Sequence, residues 1–423
     1  MEDIGLLINE KLEGALSLAK ELQQHPELGF SEYESSSILR RYWESLGLEV
    51  QGPFAGTGIK ARIKGAGKGP TVCLLSELDA VVSPLNPMAD AKGNAHACGH
   101  NIQSTQVYLA GAVLNNLREK LCGDVVLLAV PAEEFLEIEH RLEMKKDGKI
   151  RYLSGKPELY RLGVFDDVDM VIMIHAYPNP DCKLYVGGGS LGFTAKNIRF
   201  LGISGHGAAP FDSRNALQAA TLFFVGVNAN RETFRDEESI RIHPIITKGG
   251  EIVNYVPDDV RIETYVRGRT QEAIVKGCRI VDRCARAAAD MMECRCERET
   301  IPGYLPLAQS AGISALSAEI GKEMLGEENI VWGQDMVGST DLGDITQLKP
   351  AVQLLLGGFA GQQHGADFKC LDLEKTCRIG AELLVKLALE LLGGKAEKAK
   401  EVLSGFERRL TDEQYFNYMN GGC

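Results

Sequence analysis

Apolar residues recur at helical spacing over the first segment, at Ile4, Leu7, Ile8, Leu12, Ala15, Leu16, Ala19 and Leu22. That is the period of a helix with one buried face. The stretch "HPELGFSEYESSSILRRYWESLG" then turns at His25-Pro26 and opens a second helix after Ser31, ending at Gly47. Four later runs, at residues 71–80, 124–134, 169–176 and 351–358, are short and almost continuously apolar. Runs of this kind fit strands buried on both faces of a largely parallel α/β sheet. The first three carry polar clusters at their ends: Glu77 with Asp79, Glu133 with Glu134, and His175. Ligands in open α/β sheets sit beyond the carboxyl ends of the strands, so these clusters mark a candidate active site.

Between about residues 189 and 302 the pattern changes. "SLGFTAKNIRFLGI" alternates like a half-buried strand, and "SRNALQAATLFFVGVNANRETF" is helical, with Leu217, Leu222, Val225 and Val227 predicted on its inner side. "IRIHPIIT" and "VNYVPDDVRIETYVRGR" read as strands, "TQEAIVKGCRIVDRCARAAADMM" as a second helix, and "ECRCERETI" as a last strand showing Cys294 and Cys296 one per face. This β-α-β-β-α-β order is the ferredoxin-like unit. A buried strand (351–358) and the helix "EKTCRIGAELLVKLALELLGG" follow it, so the unit is predicted to be an insertion. The expected architecture is α/β: a domain of residues 1–188 and 303–423, with a largely parallel mixed sheet between helices, and an inserted α+β domain of residues 189–302. The charged run at 137–163 is expected to be a solvent-facing helix and loop.

Composition narrows the function. A chain of 423 residues, 44% hydrophobic and 25% charged, is an ordinary globular protein with room for two domains. A net charge of -12 argues against nucleic acid or an anionic membrane surface as partner. The acidic, amphipathic start lacks the pattern of a secretory signal, and apolar runs such as "VVLLAV" are far too short for a membrane span. Eleven cysteines, odd in number and scattered, point to thiols in a reducing cytoplasm.

"NAHACGHNIQ" packs two histidines around a cysteine among small residues with no bulk to fill a core. Small residues let the backbone bend tightly around a metal pair, with Cys98 and His100 pointing the same way from alternate positions. A two-metal hydrolase needs several anionic or imidazole ligands and a carboxylate to handle the proton of the attacking water. The candidates are Cys98, His100, Glu134, His175 and His364, with Glu133 beside Glu134. Thiolate with imidazole favours zinc, and the carboxylate leaves room for manganese, cobalt or nickel. The adjacent glutamates are expected to divide the labour, one binding metal and the other moving the proton. Asp79 is placed to hydrogen-bond a ligand histidine. His25, His140 and His243 read as structural, and His96 as structural or as support for a ligand. Cys98 as a nucleophile with His100 and Asn101 is a rival, but a thiol nucleophile has no use for four other ligands at strand ends. A metal-free binding or regulatory protein of the same fold is a second rival, against which the full set of five donors and a base speaks.

The ordered motifs "HPELGF", "ELDA", "HACGHN", "PAEE", "GHGAAP", "GSTDLGD" and "QQHGADF" resemble the hippurate hydrolase and aminobenzoyl-glutamate hydrolase branch of the aminoacylase-like metallopeptidases, over nearly the whole chain. The resemblance implies an amidohydrolase that cleaves an N-acyl amino acid, an aminobenzoyl-glutamate-like amide or a dipeptide with hydroxide generated on two divalent ions. It implies Cys98 as the bridging ligand, His100, Glu134, His175 and His364 as the others, Glu133 as general base and Asp79 as the carboxylate orienting an imidazole. It also implies a homodimer formed through the inserted lid domain, with His206 reaching the neighbouring subunit's active site. Asn254 and Arg267 resemble the groups that hold the substrate's carboxylate. The chain departs from the pattern where relatives with "ADMDALP" carry Asp: here the residue is Glu77, the proline is missing, and the charged run after "PAEE" is longer.

Overall fold

The computed structural model describes residues 4–336 and 338–421. They divide into two compact units. One comprises the chain up to Gly189 with Ala308–Asp335 and Asp344–Arg409; the other comprises Ser190–Leu307, Met336–Gly343 and the stretch from Leu410 onward. The last two segments carry no hydrophobic pattern that sets them apart from the first unit. Among the described residues no helix is long and apolar enough to cross a membrane.

The first unit begins with α1 (Ile4–Gln23) and α2 (Tyr33–Ser45), then β1 (Val50–Phe54), β2 (Gly58–Ile63), β3 (Gly67–Glu77) and the short pair β4 (Val81–Val82) and β5 (Asn94–Ala95). It continues through α3 (His100–Asn116), β6 (Cys122–Val130), α4 (Ile138–Lys146), α5 (Gly155–Arg161), β7 (Met170–Ala176) and β8 (Leu184–Val186). The second unit supplies β9 (Gly192–Leu201), α6 (Ala216–Ala229), β10 (Arg241–Ile242), β11 (Ile245–Lys248), β12 (Asp259–Gly268), α7 (Gln271–Met291) and β13 (Arg295–Pro302). The chain then returns to the first unit with α8 (Ala311–Leu325) and β14 (Ile330–Trp332), and begins α9 (Leu342–Thr346) in the second unit's short segment. It continues in the first with β15 (Ala351–Leu356), β16 (Phe359–Ala360), β17 (Lys369–Cys370), α10 (Leu373–Leu392) and α11 (Glu397–Ser404), and ends in the second with α12 (Asp412–Met419).

The large sheet has the order β1-β2-β6-β3-β7-β15-β8-β14. The four continuously apolar runs are its centre, β6-β3-β7-β15, and all three ladders between them are parallel. β2 on one side and β8 on the other run antiparallel to this core. The strands on both sides of β3 follow it in the chain, so the strand order reverses there, and such a reversal opens a crevice at the carboxyl ends. α3 is buried from His100 to Leu114 and packs against α1 and α10. Several of the buried polar side chains on this helix find partners. Gln103 accepts the Glu77 backbone N–H at 2.8 Å, the Ser104 hydroxyl donates to the Glu77 carbonyl at 3.0 Å, and Gln106 donates to the Thr376 carbonyl at 3.1 Å.

The second unit is an antiparallel sheet of order β10-β12-β9-β13, with β11 also paired to β12, and α6 and α7 packed on it. Two details differ from the expectation. The inner face of α6 is Ala216, Ala219, Ala220, Phe223 and Val227, while Val225 is 59% exposed; small residues at helical spacing let the helix sit close to the sheet, and Val225 falls on the far side. Cys294 and Cys296 both pack against the same core, because two residues along a strand return to one face.

The charged run at 137–163 also departs from expectation. Arg141, Lys156 and Glu158 are at most 1% exposed. Each has partners that the local pattern does not show. Arg141 donates to the Leu153 carbonyl and lies over the Phe30 ring, Glu158 accepts the backbone N–H groups of Arg151 and Tyr152, and Lys156 pairs with Glu77. Gly155 makes this burial possible. Its N–H donates to the Ala132 carbonyl at 3.1 Å, and a Cβ there would overlap the Pro131 carbonyl oxygen. Gly155→Ala is therefore expected to destabilise the protein by about 2 kcal/mol, as overpacking does, read as a lower melting temperature of the metal-stripped protein. An unchanged melting temperature would show that the two segments separate freely.

Candidate metal centre

Five segments meet at the candidate centre. β3 leaves its ladder with β7 after Leu75 and ends at Glu77, two residues before Asp79. Cys98 and His100 are not alternate strand positions: Gly99 between them is left-handed (φ 86°), and His100 is the first residue of α3. Glycine is the residue that takes this conformation without strain, and a Cβ at 99 would lie 2.7 Å from Ala176 Cβ. After β6 the chain turns through Ala132 (φ 52°) into Glu133 and Glu134. His175 is the penultimate residue of β7. His364, itself left-handed (φ 64°), lies between β16 and β17, and its N–H donates to the Ala97 carbonyl at 2.9 Å.

The side chains converge. Cys98, His100 and His175 each bring a ligand atom into one group whose atoms lie within 4.8 Å of one another, and Cys98, Glu134 and His364 form a second such group. The Cys98 sulfur is common to both. Glu133 joins His100 and Glu134 in a third. Cys98, His100, Glu133, Glu134 and His175 are all buried, while His364 is exposed.

The hydrogen bonds say what the cluster lacks. A carbonyl oxygen only accepts, so His100 Nδ1–H donates to the Asp79 carbonyl (2.8 Å) and His175 Nδ1–H to the Ala176 carbonyl (2.8 Å). In the neutral form that metal ligation requires, both rings then turn their Nε2 lone pairs toward one another at 3.3 Å, with Cys98 Sγ 3.4 Å from His175 Nε2. Glu134 Oε1, 2.9 Å from His364 Nε2, and Glu77 Oε2, 3.2 Å from His100 Nε2, are buried oxygens with no aligned donor. Converging lone pairs are favourable only around a cation, and thiolate, imidazole and carboxylate are the donors of zinc and its neighbours. The residues fit a metal pair.

The same field acts on protons. Burial works against a charged His100, yet Cys98, Glu77 and the hydrogen bond with Asp79 raise its pKa well above the usual imidazole range. The pocket draws positive charge to this ring, and a bound cation would take the place of its Nε2 proton. Burial and the Glu134 charge push the Cys98 thiol well above its usual value. Burial also disfavours the Asp79 carboxylate, but the His100 contact and the Glu134 N–H, which donates to Asp79 Oδ2 at 2.8 Å, hold its pKa down. Burial, then His100, lower His96 to about 4.

Three residues at the centre escaped the sequence analysis. Gln363 donates to the Ala176 carbonyl at 3.3 Å and lies 3.9 Å from Cys98 Sγ; its place beside His364 was the available signal. Glu32 accepts the N–H of Ala132 and the Thr57 hydroxyl, each at 2.7 Å, and so holds the turn that leads into Glu133. Burial and the Asp79 charge push it up to about 8. The signal there was "HPELGFSE", whose Gly29 leaves no room for a Cβ beside Ala132. Lys156 gave no signal, because a lysine in a charged run looks like any solvated one.

The remaining candidates lie in the second unit. His206 and Asn254 are exposed and brought together: His206 bridges to Tyr255, and the Gly207 N–H donates to the Asn254 carbonyl at 2.8 Å. His206 Nδ1 accepts the Ala208 N–H at 3.1 Å, which leaves Nε2–H as its donor. Arg267 is elsewhere, bonded to Ser339 Oγ at 2.9 Å and lying over the rings of Phe193 and Tyr265. Arg267 pairs with Phe193 at one end of the β9–β12 ladder, whereas His206 and Asn254 lie beyond the Leu201–Asp259 end. That ladder is on the order of 25 Å long, so one chain cannot close Asn254 and Arg267 on the same carboxylate.

The sequence pattern of peptidase family M20/M25/M40 matches residues 73–390. The IAA-amino acid hydrolase ILR1-like 2 of Arabidopsis thaliana is 26% identical over 95% of this chain and 90% of its own length. The N-acetylcysteine deacetylase of Bacillus subtilis is 26% identical over 89% of this chain and 96% of its own. A solved Bacillus subtilis protein, described as a dinuclear metal-binding peptidase, shares the fold with a TM-score of 0.72 at 22% identity, covering 91% of this chain and 99% of that one. The chain thus belongs to peptidase family M20/M25/M40 and is a metal-dependent hydrolase of non-ring amide or peptide bonds.

Proposed function

We propose that the first unit holds two divalent ions on Cys98, His100, Glu134, His175 and His364, with Cys98 shared between them, and cleaves an N-acyl amino acid, an aminobenzoyl-glutamate-like amide or a dipeptide. The observation that carries this reading is the Cys98 sulfur, which belongs to two separate groups of three donors. Zinc suits the sulfur and imidazoles, while manganese, cobalt or nickel is compatible with the carboxylate. Relatives named for IAA-amino acids and for N-acetylcysteine support an acylated amino acid as substrate. The described cysteines, all free thiols, suit a reducing cytoplasm.

Bound ions would acidify a water and polarise the amide carbonyl. Glu133 takes the proton from that water and passes it to the leaving amine. Asp79 fixes His100 as the Nδ1–H tautomer, so that Nε2 is free to ligate. The Nε2–H of His206 donates to the oxyanion of the tetrahedral intermediate. The inserted unit acts as lid and dimerisation surface. His206 and Asn254 of one subunit serve the partner's site, with Asn254 on the substrate's carboxylate, while Arg267 serves its own. Exposed Phe211, Ile252 and Val253 close in sequence to His206 and Asn254 support a surface that another subunit covers.

A hydrolysis screen over acyl-amino acids and dipeptides with zinc, manganese, cobalt and nickel, paired with metal analysis by mass spectrometry, tests the reading. Glu133→Ala is expected to retain its metal and lose turnover by about 10³-fold; loss of metal in that variant, with Glu134→Ala retaining it, would exchange the two roles.

Cys98→Ala is expected to lose at least one ion, and Cys98→Asp to keep partial activity, because a carboxylate also bridges two divalent ions. Full metal content in the alanine variant removes Cys98 from the ligand set.

The dimer makes a separate prediction. His206→Ala and Glu133→Ala homodimers should each be nearly inactive. Random subunit exchange makes half the dimers mixed, each with one intact site, so activity should recover to roughly a quarter of wild type. Demonstrated exchange without recovery would show that His206 acts in its own subunit or not at all.

A further inference from the structure

Glu77 stands at the carboxyl end of β3 with its side chain fully buried. Gln103 and Ser104 of α3 hold its backbone N–H and carbonyl, so the direction of the side chain is fixed. One carboxylate oxygen, Oε1, accepts Lys156 Nζ at 2.6 Å, and the lysine is fully buried too. The other, Oε2, lies 3.2 Å from His100 Nε2 and 4.0 Å from His175 Nε2, with no hydrogen-bond partner.

A carboxylate beside a ligand histidine ordinarily accepts the ring's outer N–H. That role is filled twice over: His100 Nδ1 is held by Asp79, and His175 Nδ1 by the Ala176 carbonyl. Glu77 faces the opposite, lone-pair side of both rings. Donors bound to one ion at about 2.1 Å sit about 3.0–3.5 Å apart at octahedral to tetrahedral angles. The His100–His175 and His100–Glu77 separations, 3.3 and 3.2 Å, fall in that range, and the His175–Glu77 separation of 4.0 Å is only slightly wider. We infer that Glu77 is an additional carboxylate ligand of the ion held by His100 and His175, its charge balanced by the buried ammonium of Lys156. The inference rests on the two-ion reading above. It ties the Asp-to-Glu departure in "ELDA" to the unusual charged run after "PAEE": the longer side chain reaches the ion, and the run supplies the counter-charge. An added oxygen donor makes that position harder, so Glu77 adds more to its affinity for manganese or cobalt than to its affinity for zinc.

The test titrates metal-stripped wild type, Glu77→Gln and the double variant Glu77→Leu/Lys156→Met with Mn²⁺ alone and Zn²⁺ alone by calorimetry, and records the visible spectrum of the Co²⁺ forms. Wild type should bind two ions. Both variants should lose at least tenfold in Mn²⁺ affinity at one of the two positions, with a smaller loss for Zn²⁺, and their cobalt absorption should intensify as the coordination number falls. The double variant leaves no lysine buried without a partner, the costly state of a broken internal ion pair, so its metal affinity reports ligation rather than folding. Wild-type Mn²⁺ affinity at both positions and an unchanged cobalt spectrum in the double variant would overturn the inference and reduce Glu77–Lys156 to a structural ion pair, leaving the two-ion reading intact. A wild type that binds no ion would overturn both.

Discussion

The Asp79 carboxylate joins the chemistry of this protein to its scaffold. It is fully buried, with Oδ1 3.1 Å from His100 Nδ1 and Oδ2 accepting the Glu134 backbone N–H at 2.8 Å. One side chain thus fixes the start of α3, the segment after β3 and the turn after β6 relative to each other. A buried carboxylate is tolerated only when hydrogen-bonded or paired, so these three elements take up their positions together. The tautomer of His100 and the direction of the Glu134 backbone are consequences of the same group.

Around that anchor, the local strain sits next to the donors. Ala132 and His364 are left-handed L-residues, a conformation that costs about 1–2 kcal/mol each. Each is held by a hydrogen bond from its own N–H, Ala132 to Glu32 and His364 to the Ala97 carbonyl. Beneath the Cys98 loop, Phe359 and Phe368 stack at 5.6 Å and close a small apolar cluster with Ala97, Ile102 and Ala176. A rigid floor of this kind is what keeps flexible side chains close to a single geometry.

The second unit has a core of its own, formed by β9, β12, α6 and α7. Its candidate groups lie at the two ends of one ladder rather than in one place. His206 and Asn254 lie together beyond one end of it, and Arg267 lies at the other.

Periodicity along the chain was enough for the buried parallel strands, the helical first segment and the β-α-β-β-α-β order, because each rests on residues close in sequence whose burial follows a fixed period. The residues that the fold gathers into the candidate centre were legible as well, since Cys98, His100, Glu134 and His175 fall at strand ends or in a segment with no apolar bulk. Tertiary structure decided the rest. That Val225 faces outward, that a left-handed Gly99 leads into a helix at His100, and that Asn254 and Arg267 lie far apart depend on how elements pack. Lys156 is the clearest case. It stands in a run rich in charges, and the group that pairs with it is Glu77, 79 positions away. Whether a charged side chain is solvated or internal depends on a counter-charge brought close by the fold, and no local pattern of residues records where that counter-charge lies.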